Sequence, residues 1–436
     1  MRRLFVRRSA TAVGIYLSVV LGFIGTIVAG RELSVREFGE YSTVVFAVAF
    51  IGSFFDLTVE EALVKYGFHY VAREDWSRLR QLYRSALGFK VVGTTVGGIA
   101  LLCFGLIAHG RLGTALLVAA PLPFVQSLQG YGGTALLLQE RYDLRGAFLA
   151  WSMLLRLVGI GVGAHYGVVE AVAGLVVGQI IATASVGFAG RLAFNRFPQA
   201  PRAPLGEDRR GIVSFILQSS ASTGVTSLQS GLAPLLLGAV TSTTQVGYFK
   251  IAQAPQSALL AVSAPVRIVQ LTEQTRDWER GQRAAVLTSV RRYSLVAFGL
   301  MIVVVPPLLY LMPSLVKLAY GDRYGAAAGA ARVFLLVAAI QFVLGWTKSF
   351  PVAVGRPSLR IVTHGAESLT ILPLVFLLGH LYGAVGAAFA VLAGMCVFAA
   401  VWFVIFRRIT VEDVGPPQTV REAEALEATE AEALLR

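Results

Sequence analysis

Long apolar stretches alternate with short polar ones along this chain, and the stretches run to about 20 residues. A helix needs that length to cross a hydrocarbon core of ~30 Å at ~1.5 Å per residue. The pattern predicts twelve spans, at 11–30, 38–58, 85–107, 113–137, 147–165, 168–190, 211–238, 245–268, 285–312, 326–347, 360–380 and 383–406. A membrane barrel would repeat segments of roughly ten residues with alternating polarity instead. Within lipid only helices and closed barrels satisfy the backbone, so an all-α, polytopic membrane protein of about 12 transmembrane helices is expected.

Composition agrees. The 436 residues are 56% hydrophobic and 14% charged, against about 25% charged in soluble domains. The mean hydropathy is +0.68. Cys103 and Cys396 both lie in apolar runs and have no spacing that fits a disulfide framework or a zinc site. No metal or cofactor is expected.

The net charge of +13 does not form one patch, as a nucleic-acid surface would, so no nucleic-acid partner is expected. It falls on every second loop. Basic residues mark the N-terminus (Arg2, Arg3, Arg7, Arg8) and the loops after spans 2, 4, 6, 8 and 10, and Arg407-Arg408 closes span 12. The intervening loops hold only Arg31, Arg36, Arg111, Lys317 and Arg323. The positive-inside rule then places both termini in the cytosol, with the basic loops near the anionic lipid heads of the bilayer. MRRLFVRR reads as a cytosolic start before the first span, not as a cleavable signal.

The chain also matches itself. Asp-Trp-x-Arg occurs at 75–78 and 277–280. GRELSVREFGEY (30–41) aligns with GAVTSTTQVGYF (238–249), stacking Gly39 on Gly247 at an offset of 208. GYGGTALLLQERYDLR (130–145) aligns with GWTKSFPVAVGRPSLR (345–360), and YGVVEA (166–171) with YGAVGA (382–387). Four matches in one order point to duplication. Six spans per copy give both copies the same orientation, hence two parallel six-helix repeats around a central cavity. The expected division is a lobe over 1–190, a basic Pro-rich cytosolic linker over 191–210, a second lobe over 211–408 and a Glu/Ala-rich cytosolic tail over 409–436.

With twelve spans in two sixes, RELSVREFGEYS leaving span 1 and VGYFKIAQAP entering span 8, the chain resembles polysaccharide-export flippases. These belong to the multidrug/oligosaccharidyl-lipid/polysaccharide exporter superfamily. The resemblance covers nearly the whole chain, although its motifs are loose. It implies translocation of an undecaprenyl-pyrophosphate-linked oligosaccharide from the cytosolic to the outer leaflet of the cell (plasma or inner) membrane. It also implies possible partners among polysaccharide polymerases and glycosyltransferases. It carries no catalytic signature, so no enzyme is expected and no residue is transferred by motif.

The candidate residues come from chemistry. A pyrophosphate and a glycan entering the membrane interior need a polar, cationic cavity, since each unpaired polar group buried there costs several kcal/mol. Arginine forks suit pyrophosphate. Arg156 lies midway along span 5, where a charge normally faces a cavity or a partner; the competing reading is a structural ion pair. Lys250 and Arg332 lie about six residues inside the outer ends of their spans, where they could also snorkel. Lys90 is expected to snorkel at the cytosolic end of span 3. Glu61 and Lys65, four apart, read as a surface pair.

Asp56 at the end of span 2, and His364 with Glu367 on one face of span 11, are candidates for proton coupling or gating. Gln218, Gln229, Gln253 and Gln256 are candidates for a sugar-facing polar wall, with helix packing as the alternative. VGIGVG (158–163) follows no strand and is no dinucleotide loop, and no Walker-type phosphate loop is present. Two rivals remain. A multidrug cation antiporter would favour an anionic cavity. A polytopic glycosyltransferase or polymer ligase would need acids in sizeable outer loops, and these loops are short.

Overall fold

The computed structural model describes residues 2–55, 58–263, 270, 274, 277–278, 282–354 and 358–414. Among them the chain is helical, with no strand. The first eight helices are α1 (Arg2–Glu32), α2 (Val35–Phe55), α3 (Val59–Ala72), α4 (Trp76–Ile107), α5 (Gly110–Ala119), α6 (Leu122–Leu138), α7 (Tyr142–Ala164) and α8 (Val168–Phe194). They are followed by α9 (Asp208–Ser227), α10 (Ala233–Val240), α11 (Thr243–Ala252), α12 (Ala254–Val262), α13 (Arg283–Tyr320), α14 (Ala327–Val343) and α15 (Ser358–Val414). This is a polytopic, all-α membrane protein.

The predicted spans all fall on these helices, but chain breaks divide them differently. Span 4 is split into α5 and α6 at Pro121, which has no N–H to continue the ladder. Span 8 is split into α11 and α12 at Gln253, two residues before Pro255; its predicted end, 264–268, lies outside the described residues. Spans 11 and 12 form one run of 57 residues broken at Gly383, where φ is +60°. Unbroken, such a helix would reach ~85 Å, far more than a bilayer. It doubles back instead, so that His364 stacks on Phe398 with ring centroids 5.1 Å apart. Gln245 Oε1 accepts from the Ala384 N–H at 2.8 Å across this turn. A Cβ on Gly383 would lie 2.4 Å from that oxygen, so both conformation and space call for glycine.

The repeated Asp-Trp-x-Arg has a local explanation in its first copy. Asp75 caps α4 by accepting from the Arg78 N–H at 3.0 Å, and Trp76 stacks on Phe197 at 5.4 Å. In the second copy Trp278 sits edge-on to Phe350; Arg280 lies outside the described residues.

Helix α7 packs between α1 and α8, and α8 against α6; α14 packs against α13 and α15. The main bridge between α1–α8 and the later helices is α2 against α11. At one end of the bundle Arg31 Nε donates to the Ala319 carbonyl at 2.8 Å, and Arg323 Nη2 to the Gly30 carbonyl at 2.9 Å. At the other end α3 meets α9: Tyr70 donates to Asp208 at 2.9 Å, and Thr58 Oγ1 lies 3.2 Å from Ser220 Oγ. Burial, and then Asp208 itself, push the Tyr70 phenol above its ordinary value, so it stays a neutral donor. Glu61 and Lys65 do not pair, contrary to expectation. Glu61 accepts from Ser219, and Lys65 Nζ lies 4.4 Å from the Phe215 ring centroid. Both turn to α9 because it covers that face of α3.

Candidate functional site

Four cavities lie in series across the bundle, each sharing lining residues with the next, and together trace a path. The first, of about 190 Å³, is lined by Glu60, Gln126, Gln129, Arg145 and Arg156. Arg156 and Gln126 also line the second, of about 290 Å³, beside Tyr41 and Thr26. Thr26 and Gly22 carry the path into a third, of about 180 Å³, where α1 faces Lys250, Gln253 and Tyr320. Gln253 opens on the fourth, of about 470 Å³, among α9, α12, α14 and α15.

Cations line the path on both sides: Arg145 and Arg156 among α1–α8, Lys250 at the junction, and Lys348 and Arg360 in the fourth cavity. Arg156 makes no hydrogen bond or ion pair among the described residues, and its Nε is buried without a partner. The structural ion pair that competed for this residue is therefore not present among them. One Arg145 Nη1 is likewise buried and unpartnered. Lys250 Nζ lies 4.8 Å from the Phe46 ring centroid, a cation–π contact, with no acid partner among the described residues. Arg332 is not on the path. It is exposed on the bundle surface, and its Nε donates to the Leu309 carbonyl at 3.0 Å. That carbonyl needs a donor because residue 313, four on, is a proline inside α13.

The polar lining of the fourth cavity combines amides and hydroxyls with Lys348, Arg360, His364 and Glu367. Gln229 Nε2 donates to Glu367 Oε2 at 3.0 Å and lies 3.2 Å from His364 Nδ1, itself 3.0 Å from the same carboxylate oxygen. Glu367 is 3% exposed. Gln229 sits in a π-helical turn, Leu228–Leu232, between α9 and α10; such turns often mark functional sites. Gln256 Nε2 donates to Gln341 Oε1 at 2.9 Å, and Gln253 joins the third and fourth cavities. Gln218 is not brought to this wall. It is exposed and bonds Ser214 within its own helix at 3.2 Å. Asp56 lies outside the described residues.

Lys90 contradicts its expectation most clearly. It does not snorkel but is 0% exposed, and its Nζ lies 3.0 Å from Glu60 Oε1 and 3.0 Å from Ser127 Oγ. The Glu60 carboxylate rests on Gly130, where a Cβ would come within 1.4 Å of Oε1. The first glycine of the repeated GY/GW motif thus gives the half-buried Glu60 carboxylate its room. Sequence reasoning missed Arg145, Gln126 and Gln341, and read Glu60 only as one of the acids clustered with Asp56 and Glu61 at the cytosolic end of span 2. Arg145 read as a loop base, and the two glutamines carried no signal apart from polarity inside an apolar run.

The bundle and its path define a multi-pass membrane protein with the fold of the MOP-superfamily transporters. An inward-facing multidrug resistance MATE family transporter of that superfamily superposes with a TM-score of 0.72 at 13% identity, over 95% of this chain and 100% of that one. Lipid II flippase MurJ in an inward closed conformation gives 0.69 at 12%, over 93% and 90%. A MOP transporter from Pyrococcus furiosus, described by the reverse polarity of its binding pocket, gives 0.67 at 13%, over 95% and 96%. No curated protein matches the chain significantly. The family profile described as "Polysaccharide biosynthesis protein" matches residues 28–328, and the chain belongs to that family.

Proposed function

We propose that the protein is a flippase that moves an undecaprenyl-pyrophosphate-linked oligosaccharide from the cytosolic to the outer leaflet of the cell membrane by alternating access. The observation that carries this reading is Arg156, a guanidinium inside the membrane span with no protein partner among the described residues, facing a cavity. A buried charge without a partner is costly unless a ligand supplies one. A pyrophosphate does so through two charge-assisted hydrogen bonds to one fork. Arg145 and Lys250 add positive charge along the path, and the amides of Gln229, Gln253 and Gln256 offer hydroxyl-binding groups for the glycan. His364 and Glu367 are the coupling pair we propose, because they share one carboxylate oxygen contact inside that cavity.

The architecture in this reading is two parallel repeats, 1–190 and 211–408, with both termini, the 191–210 linker and the 409–436 tail in the cytosol. The Arg31 and Arg323 contacts then lie at the closed outer end. A cation antiporter fits less well. The acids on the path, Glu60 and Glu367, are engaged by Lys90 and by Gln229, whereas Arg156 and Lys250 face it without an acid. The family match favours a role in surface polysaccharide synthesis over drug export.

The test is the leaflet and amount of the lipid-linked oligosaccharide in a deletion strain, restored with wild type or Arg156→Gln. Accumulation facing the cytosol, unrelieved by a normally expressed Arg156→Gln, is the expected result. Full rescue by Arg156→Gln would keep the function and make Arg156 structural. Normal arrival in the outer leaflet without the gene would remove the flippase reading, and drug efflux would be measured next.

A further inference from the structure

A fifth cavity lies off this path, between α3, α4 and the start of α9, with a volume of about 530 Å³. Its floor is apolar and buried: Ala62 and Leu63 from α3, Leu82 and Ala86 from α4, Ile212 and Ile216 from α9. Helices α4 and α9 start together, since Arg78 and Asp208 lie 3.6 Å apart, so the groove has two distinct ends. One holds Gln81, Ser85 and Arg209. The other holds Phe89, 46% exposed, from which α4 continues through exposed Val92, Val96 and Ile99 and α9 through exposed Leu217. Exposed apolar side chains along a spanning helix face lipid.

We infer that this groove binds one membrane phospholipid with an anionic headgroup, its acyl chain entering past Phe89 and its phosphate held at Arg209. The volume lies within the ~300–1,000 Å³ range of small-molecule sites, and an apolar floor opening on the bilayer fits a hydrocarbon chain. The charge complements it. The Arg209 side chain is exposed and makes no hydrogen bond or ion pair among the described residues, Arg210 follows it, and of the adjacent acids Asp208 is engaged by Tyr70 and Arg78. Glu207 is the remaining acid there. Helix α3 walls the groove off from the cationic path, with Val59, Ala62 and Leu63 on the groove and Glu60 on the path. A resident lipid fits this separation better than the tail of a molecule whose head occupies the path. The groove joins α3 and α4 to α9, so its occupant contacts helices from both parts of the bundle. None of this depends on the transport reading.

The experiment is native mass spectrometry of the full chain released from nanodiscs holding equal amounts of phosphatidylglycerol and phosphatidylcholine. Wild type is expected to retain one phosphatidylglycerol preferentially. Arg209→Gln is expected to lose that preference about tenfold, ~1.4 kcal/mol, while Ala86→Trp, which fills the groove, loses retention of both lipids. Ala86→Trp can misfold, whereas Arg209→Gln alters an exposed side chain and keeps the test decisive. Equal retention of the two lipids by wild type, or wild-type retention by Arg209→Gln, would overturn the inference. So would displacement of the retained lipid by undecaprenyl pyrophosphate that Ala86→Trp abolishes, which would assign the groove to the cargo's tail.

Discussion

Gly39 of α2 and Gly247 of α11 meet backbone to backbone: a Cβ on Gly247 would lie 3.1 Å from the Gly39 Cα. They are also the two glycines that the internal alignment stacks at an offset of 208. Equivalent residues of a duplicated chain touch each other only near the axis that relates the copies. Their contact is what the proposed parallel repeat would produce if its axis ran at the α2–α11 seam.

The seam is tightest at Gly39, whose added Cβ would fall 2.1 Å from the Thr243 carbonyl oxygen. Backbone cannot step aside as a flexible side chain does, so Gly39→Ala must push α2 and α11 apart. Overpacking of this kind costs ~1–3 kcal/mol. The expected outcome is a lowered thermal midpoint for Gly39→Ala in detergent and a smaller drop for Gly247→Ala. Equal midpoints for wild type and Gly39→Ala would show that the seam is loose in solution.

Arg31 and Arg323 each cross to the C-terminal carbonyls of the other's helix neighbourhood, Arg31 at the end of α13 and Arg323 at the end of α1. Helix ends leave such carbonyls free, and cations are favoured there. Both side chains are largely solvent-accessible, so stability is expected to change by less than about 1 kcal/mol in either single variant. The larger effect is expected on opening. In Arg31→Gln/Arg323→Gln, a cysteine placed at Leu33, 1% exposed, should react with a membrane-impermeant maleimide several-fold faster than in the background with both arginines. An unchanged rate would mean that the Gly39–Gly247 seam alone keeps this end closed.

The Lys90–Glu60 pair predicts a coupling. Losing one partner of a buried ion pair costs up to ~3–5 kcal/mol. Glu60→Leu takes one carboxylate away from an ammonium that is 0% exposed and keeps its other contacts, Ser127 among them, whereas Lys90→Met leaves a carboxylate that is 31% exposed without its lysine. Each single change should destabilise, and the double variant should lose less than the two singles combined. Chemical denaturation of the purified variants measures the losses. Additive losses would show that the two groups act independently.

Apolar periodicity revealed where helices run, because burial in lipid is a property of each stretch by itself. It revealed the turn at Gly383, as the gap between spans 11 and 12, but not the breaks at Pro121 and Gln253, since hydropathy is continuous across those two. Arg156 was legible as a charge midway along a span. The partners of polar residues were not, because they are set by packing between distant helices: Lys90 with Glu60, Gln256 with Gln341, Glu61 with Ser219. Local spacing misled for Glu61 with Lys65, where an i,i+4 pair was available but α9 supplied other contacts. It misled again for Gln218 and Gln229, because a shared helix face leaves them ~16 Å apart along the helix, and Gln218 is exposed and bonded to Ser214.

Arg332 shows how such a misreading becomes a test. Its charge read as a cavity cation, but its Nε caps the Leu309 carbonyl at 3.0 Å, a group that Pro313 leaves without its helical donor. A hydrogen bond from a charged group is worth ~1.5–3 kcal/mol, less where water competes. Arg332→Gln should therefore cost about 1 kcal/mol in the wild-type background. In Pro313→Ala the N–H of residue 313 returns and can satisfy Leu309 through the helix itself. Arg332→Gln should then cost almost nothing, a coupling that a double-mutant cycle of unfolding free energies reads directly. Flipping activity should be unaffected by Arg332→Gln in either background. A loss of transport at wild-type stability would return Arg332 to the substrate path and remove the capping account.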